Sequence, residues 1–167
     1  MVHRDRAPLI PHQFPVMLPP KKGFTLVELM LTVAIVGTLV GIAIPLYLSY
    51  LDKVRIAVAE SDIQTLQVKI QMYEDAYGKL PDNLSDLKGV GPDPWGDDYQ
   101  YLNFAAAGPG WKGQARKDKF LVPLNSTYDL YSKGKDGQSK KPLTAKVSKD
   151  DIIRASDGAF IGLASDF

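Results

Sequence analysis

Leu29-Met-Leu-Thr-Val-Ala-Ile-Val-Gly-Thr-Leu-Val-Gly-Ile-Ala-Ile-Pro-Leu-Tyr-Leu-Ser-Tyr-Leu51 is a run of 23 residues without a charge. As a helix it extends about 34 Å, enough to cross a hydrocarbon core of ~30 Å with some tilt. A buried core helix is the competing reading, but a chain of 167 residues rarely surrounds so long a segment on every face. Arg4, Arg6, Lys21 and Lys22 precede the run against Asp5 alone. That asymmetry predicts a cytoplasmic amino terminus and an exported remainder.

Composition narrows the chemistry. Apolar residues make up 45% and charged residues 23%, ordinary globular values that exclude wholesale disorder. A formal net charge of +1 offers no basic surplus for nucleic acid. With no cysteine there is no disulfide framework, thiolate metal site or cysteine nucleophile. Both histidines, His3 and His12, precede the apolar run, so loss of the amino terminus removes every imidazole. Asp97-Asp98 and Asp150-Asp151 are paired carboxylates of the kind that suggest acid–base work. Neighbours in extended chain point to opposite faces, and no nucleophile-elbow, phosphate-loop or histidine metal motif accompanies them. An enzyme is not expected.

The end of the apolar run lacks the small residues that a secretory cleavage site requires and carries Pro45, Leu46, Tyr47 and Leu48 instead. At its front stands Lys21-Lys22-Gly23-Phe24-Thr25-Leu26-Val27-Glu28, with a carboxylate inside the edge of the membrane segment. A charge there either snorkels to the headgroups or takes a partner. Residues 21–50 resemble the amino-terminal signature of type IV pilins and their relatives. The resemblance implies that a prepilin peptidase cuts between Gly23 and Phe24, that the Phe24 amine is methylated, and that the helix is retained. Residues 1–23 are then a leader peptide, long for the family, with Met17 a candidate start. Its removal takes four basic residues and one acidic, leaving a slightly acidic chain.

Such a segment suits a filament. In a staggered assembly the new Phe24 amine faces the Glu28 of a neighbour at low dielectric, cancelling two charges and setting register. Gly37 and Gly41 form Gly-x-x-x-Gly, which permits close helix approach, although glycine is common in membrane helices. Pro45 removes one helix hydrogen bond and predicts a kink or local loosening.

After residues 24–51, the assembly helix, residues 52–77 continue it amphipathically. Ile56, Ile63, Leu66, Ile70, Tyr73 and Tyr77 form an apolar stripe, and Gly78 and Pro81 stop the helix. Residues 78–167 read as short strands and loops covering that stripe. Tyr99 to Phe104 and Tyr128 to Ser132 alternate like strands; Phe120 to Leu124 and Ala159 to Leu163 are weaker candidates. Asn83 to Leu87 is a short helical candidate, and Ala105 to Lys119 reads as an exposed loop. The expected class is α+β, a long helix on a small antiparallel sheet.

This half resembles the G pseudopilins, the main fibre subunits of type II secretion systems. Tyr73, Gly78 and Pro81 carry the match, with Asp93-Pro94-Trp95-Gly96-Asp97-Asp98-Tyr99-Gln100-Tyr101-Leu102-Asn103, Asp129-Leu130-Tyr131-Ser132, Gly134 and Asp136-Gly137. Ala105 to Leu124 is an insertion relative to the family pattern. The resemblance implies a homopolymer with other pseudopilin subunits, held in the bacterial inner membrane with a periplasmic domain and served by an inner-membrane assembly platform. A type IV pilus subunit for adhesion or motility shares the same amino-terminal mechanism and remains the alternative.

The resemblance also implies a calcium-binding loop, here Ser132 to Asp151, with Asp136, Asp150 and Asp151 as candidate carboxylates and Asp157 and Asp166 as weaker ones. Calcium takes six to eight oxygens, whereas six lysines crowd this stretch. An Asp-Gly turn at Asp136 and a helix cap at Asp150 explain the same residues without a metal.

Overall fold

The structure is a computed structural model that describes residues 23–167. Residues 1–22 of the expected leader lie outside the described residues. The chain divides into two compact units, one ending at Ala43 and the other comprising Ile44–Phe167. A single helix, α1 (Leu26–Tyr77, 52 residues), contributes to both and continues through Pro45.

In the first unit every described side chain is exposed. Hydroxyls within the apolar run bond back to their own helix, Thr32 to the Leu29 carbonyl at 2.8 Å and Thr38 to that of Ala34 at 2.8 Å. These side chains therefore need no water, as a hydrocarbon environment demands.

In the second unit α1 buries Ala59, Ile63, Leu66 and Ile70, at spacings of four, three and four. Ala59, absent from the predicted stripe, is wholly buried. The stripe runs out a turn earlier than expected: Tyr73 is half-buried, and Tyr77, its ring tilted against that of Tyr73 at 4.4 Å, is 68% exposed. Gly78 ends the helix at φ 69°, its N–H on the Glu74 carbonyl at 2.8 Å. This is the left-handed position that glycine adopts without strain.

Four antiparallel strands follow in chain order, β1 (Gln100–Asn103), β2 (Tyr128–Ser132), β3 (Ile152–Ala155) and β4 (Phe160–Leu163). Tyr128, Leu130 and Ile152 meet the Ala59–Ile70 face of α1 in one core. Ile153, one residue on, points to the opposite face and joins Leu124, Leu143, Ala155 and Ala164 in a second core. The fold is α+β, a long helix packed on a small antiparallel sheet.

Local structure departs from the sequence expectations in four places. β3 was not among the predicted strands: it is buried on both faces, so Ile-Ile-Arg-Ala shows no alternation. Phe120 to Leu124 is not a strand. Asp118 and Leu121 close a tight turn through mutual backbone bonds, leaving Phe120 wholly exposed at its tip. Ala105 to Lys119 is not simply an exposed loop, because Phe104 stacks on Trp111 at 4.3 Å and Ala115 and Arg116 are buried. The Asn83–Leu87 candidate is a single 3-10 turn, Leu84–Asp86, with Asp86 accepting the Asn83 N–H at 3.1 Å.

Candidate functional site

The first group of functional residues lies at the start of α1. Thr25 is the residue before the helix and Glu28 its third position, the spacing of a capping box. Glu28 Oε2 accepts both the Thr25 N–H and the Thr25 hydroxyl at 2.8 Å, while the Glu28 N–H donates to Thr25 Oγ1 at 3.2 Å. The Thr-x-x-Glu pattern was readable in the sequence but was overshadowed by the family signature. It fixes the carboxylate beside Phe24, whose side chain is exposed, next to an equally open Gly23. Gly37 and Gly41 are exposed, and a Cβ placed on either meets nothing within 4 Å. Their faces are open for a neighbouring helix.

The second group surrounds the turn at Asp93 and the loop after β2. Buried Asp93 accepts the Trp95 and Asp97 N–H groups on one oxygen, at 3.0 and 2.9 Å, and the Ser132 hydroxyl on the other at 2.5 Å. The Asp-Pro-Trp-Gly-Asp turn is thereby tied to the end of β2. Ser132 Oγ then accepts the Gly134 N–H at 3.0 Å. Tyr99 donates to Asp62 of α1 at 2.8 Å. Burial foremost, then that carboxylate, pushes the Tyr99 phenol far above its ordinary range. Burial likewise raises Tyr101, which donates to the Pro81 carbonyl at 3.0 Å.

The three aspartates singled out for calcium take separate roles. Asp150 Oδ2 accepts the Asp136 N–H at 3.0 Å, and Asp136 Oδ1 accepts the Gln138 N–H at 2.7 Å. Asp136 is thus the turn residue, while Asp150 braces that turn instead of capping a helix. Asp151 turns inward, wholly buried, and its Oδ2 accepts from Arg116 at 2.5 Å and from the Ser139 hydroxyl at 2.6 Å. Burial raises the Asp151 carboxyl to about 6 against the opposing pull of Ser139 and Arg116. Asp151 Oδ1 and Arg116 Nε are buried without a protein partner. Among the described residues no three acidic groups gather around one point. A divalent ion at Asp151 would sit beside a guanidinium, so this donor set does not fit calcium. Of the weaker candidates, Asp157 accepts the Ser126 N–H at 2.8 Å and Asp166 the Ser165 hydroxyl at 3.1 Å.

Arg116 and Arg154 were not singled out by sequence reasoning. Arg154, inside β3, donates through Nε to Gln67 of α1 at 2.8 Å and stacks over Tyr128 at 4.2 Å. The Arg116 guanidinium stacks over Tyr131 at 4.3 Å, and the Arg116 backbone N–H donates to Asp129 Oδ2 at 2.6 Å. Nothing local marks an arginine for burial; each is recognised only once the fold supplies its carboxylate, amide and ring.

The model of the prokaryotic N-terminal methylation motif matches residues 18–44, spanning Gly23, Phe24 and Glu28. Type II secretion system core protein G of Pseudomonas aeruginosa is 31% identical over 140 residues, covering 71% of this chain and 86% of that protein. Its counterpart in Vibrio cholerae is 31% identical over 137 residues, covering 70% and 82%. A fimbrial protein of Dichelobacter nodosus is 40% identical over 110 residues, covering 65% of this chain and 56% of its own length. No solved structure matches. A methylation motif at the head of a capped apolar helix, with 31% identity to a relative covered over 86% of its length, leads to one assignment: the chain belongs to the type II secretion system core protein G family.

Proposed function

We propose that the protein is a structural subunit of a periplasmic pseudopilus that drives protein export by type II secretion. It is made as a single-pass inner-membrane precursor with a cytoplasmic amino terminus, cut after Gly23, methylated on Phe24 and assembled through α1 on an inner-membrane platform. The observation that carries this reading is the uniform exposure of the apolar side chains between Phe24 and Tyr50. Each large apolar side chain left in water forgoes about 1.5–3 kcal/mol of burial. A stretch of this length therefore requires lipid before assembly and sibling helices after it.

The likeness to a fimbrial protein favours a second reading, a surface pilus subunit. Deleting the gene separates the two. Loss of exported enzymes from the medium, restored by the wild-type chain and with surface fibres unaffected, supports the pseudopilus. Intact export with missing surface fibres supports the pilus.

A further inference from the structure

We infer that the guanidinium of Arg116 does in this protein the work that a bound divalent cation would do, fastening the loop after β2 to the sheet without a metal. The inference goes beyond the fibre role and does not depend on which fibre the chain builds. Asp151 sits at the entrance to β3, its side chain wholly buried, and a carboxylate so placed requires a positive partner. The partner is Arg116, whose side chain is 4% exposed.

The arginine reaches beyond that one carboxylate. Its second terminal nitrogen donates to the Lys140 carbonyl at 2.9 Å and to the Ser139 hydroxyl. Ser139 in turn donates to Asp151, which closes a ring of Arg116, Ser139 and Asp151. Side-chain carboxylate, hydroxyl and backbone carbonyl are oxygens of the kind a hard cation collects. Here a fork of fixed N–H groups collects them. Tyr131 of β2 supplies a ring face for the same cation.

The backbone that carries Arg116 is itself secured. Its N–H is held by buried Asp129 of β2, and Lys117 exchanges backbone bonds with Lys141 and Leu143 at 3.1 and 2.9 Å. The segment 105–124, extra to the family pattern, thus reaches under the loop and delivers the charge. The same delivery accounts for the lysine-rich loop. With the inward charge supplied from within, outward positions need no acidic residues, and Lys135 pairs instead with Asp52 of α1 at 2.6 Å.

The test uses the full-length chain in detergent micelles, with unfolding of the sheet followed by near-ultraviolet circular dichroism. The wild-type midpoint is expected to be the same in millimolar calcium chloride and in excess EGTA; a calcium-dependent rise overturns the inference and needs no variant. Arg116→Met and Asp151→Leu are each expected to lower the midpoint by about 10 °C or more, since each strands a buried charge. The double variant, which strands neither, is expected to lose clearly less than the two singles combined. A wild-type midpoint in Arg116→Met, or simple addition of the single effects, overturns it.

Discussion

Thr25 and Glu28 hold each other at the start of α1, the carboxylate accepting the threonine N–H and hydroxyl while the threonine oxygen accepts the glutamate N–H. One carboxylate oxygen is thereby engaged within its own chain and the other stays free for a neighbour. Replacing Thr25 with Val removes the hydroxyl from this ring and costs about 1 kcal/mol of helix-end stability. Amide exchange at Glu28 in micelles is expected to quicken in Thr25→Val and to stay slow in Thr25→Ser. Unchanged protection in the valine variant would show that the cap is idle.

Glu28→Ala tests the neighbour's side of that carboxylate. The variant is expected to insert and to be cut normally but to yield few fibres, because assembly would bury an unpaired Phe24 ammonium. Sedimented fibre per cell measures this directly, and a wild-type yield would refute the pairing.

Processing is expected to require a residue without a side chain before Phe24. Gly23→Val should accumulate as the longer, uncut form, whereas the wild-type chain gives a mature mass beginning at Phe24. Intact-mass spectrometry decides between them, and any other mature start contradicts the assignment.

Gly134 stands at φ 67°, and a Cβ added there lies 2.0 Å from the Asp150 carbonyl oxygen. Gly134→Ala thus meets both left-handed strain and a backbone clash, with an expected loss of about 3 kcal/mol. At Gly137 the nearest atom to an added Cβ is the Asp97 carboxylate tip at 3.0 Å, which can swing aside. Gly137→Ala is therefore expected to lose less. Equal melting temperatures for the two variants would contradict the packing of Gly134 on Asp150.

The buried tyrosines give the sheet an alkaline limit. Burial raises Tyr99, Tyr101 and Tyr128 above the ordinary value of 10.0. The folded state then holds protons that the unfolded state releases, so their contribution is complete below pH 10 and is lost as pH rises beyond it. The share of tyrosinate absorbance that belongs to these three side chains is expected to appear only together with loss of the sheet signal. Smooth titration of all the tyrosines near pH 10 within an intact sheet would rule this out.

Much of this was legible in the chain before any coordinates. The uncharged run from Leu29 to Leu51 and the Ile63–Leu66–Ile70 stripe follow from periodicity, and β2 fell at Tyr128–Ser132 as its alternation indicated. The strand that sits between others, β3, was hidden because burial on both faces erases alternation and because Arg154 reads as a surface residue until Gln67 and Tyr128 surround it. Phe120 misled in the opposite direction, a large apolar side chain at a turn tip. The amino-terminal residues of the site were legible because their chemistry is contiguous in sequence. The Arg116–Asp151 pair, 35 residues apart, was not.

The sheet has two free borders, β1 and β4, each four residues long. A fibre holds its subunits at very high local concentration, the condition under which open sheet borders recruit one another into aggregates. Borders this short offer few unpaired amides and carbonyls to a neighbour. Growth through helices can therefore proceed in a crowded lattice without competition from strand exchange.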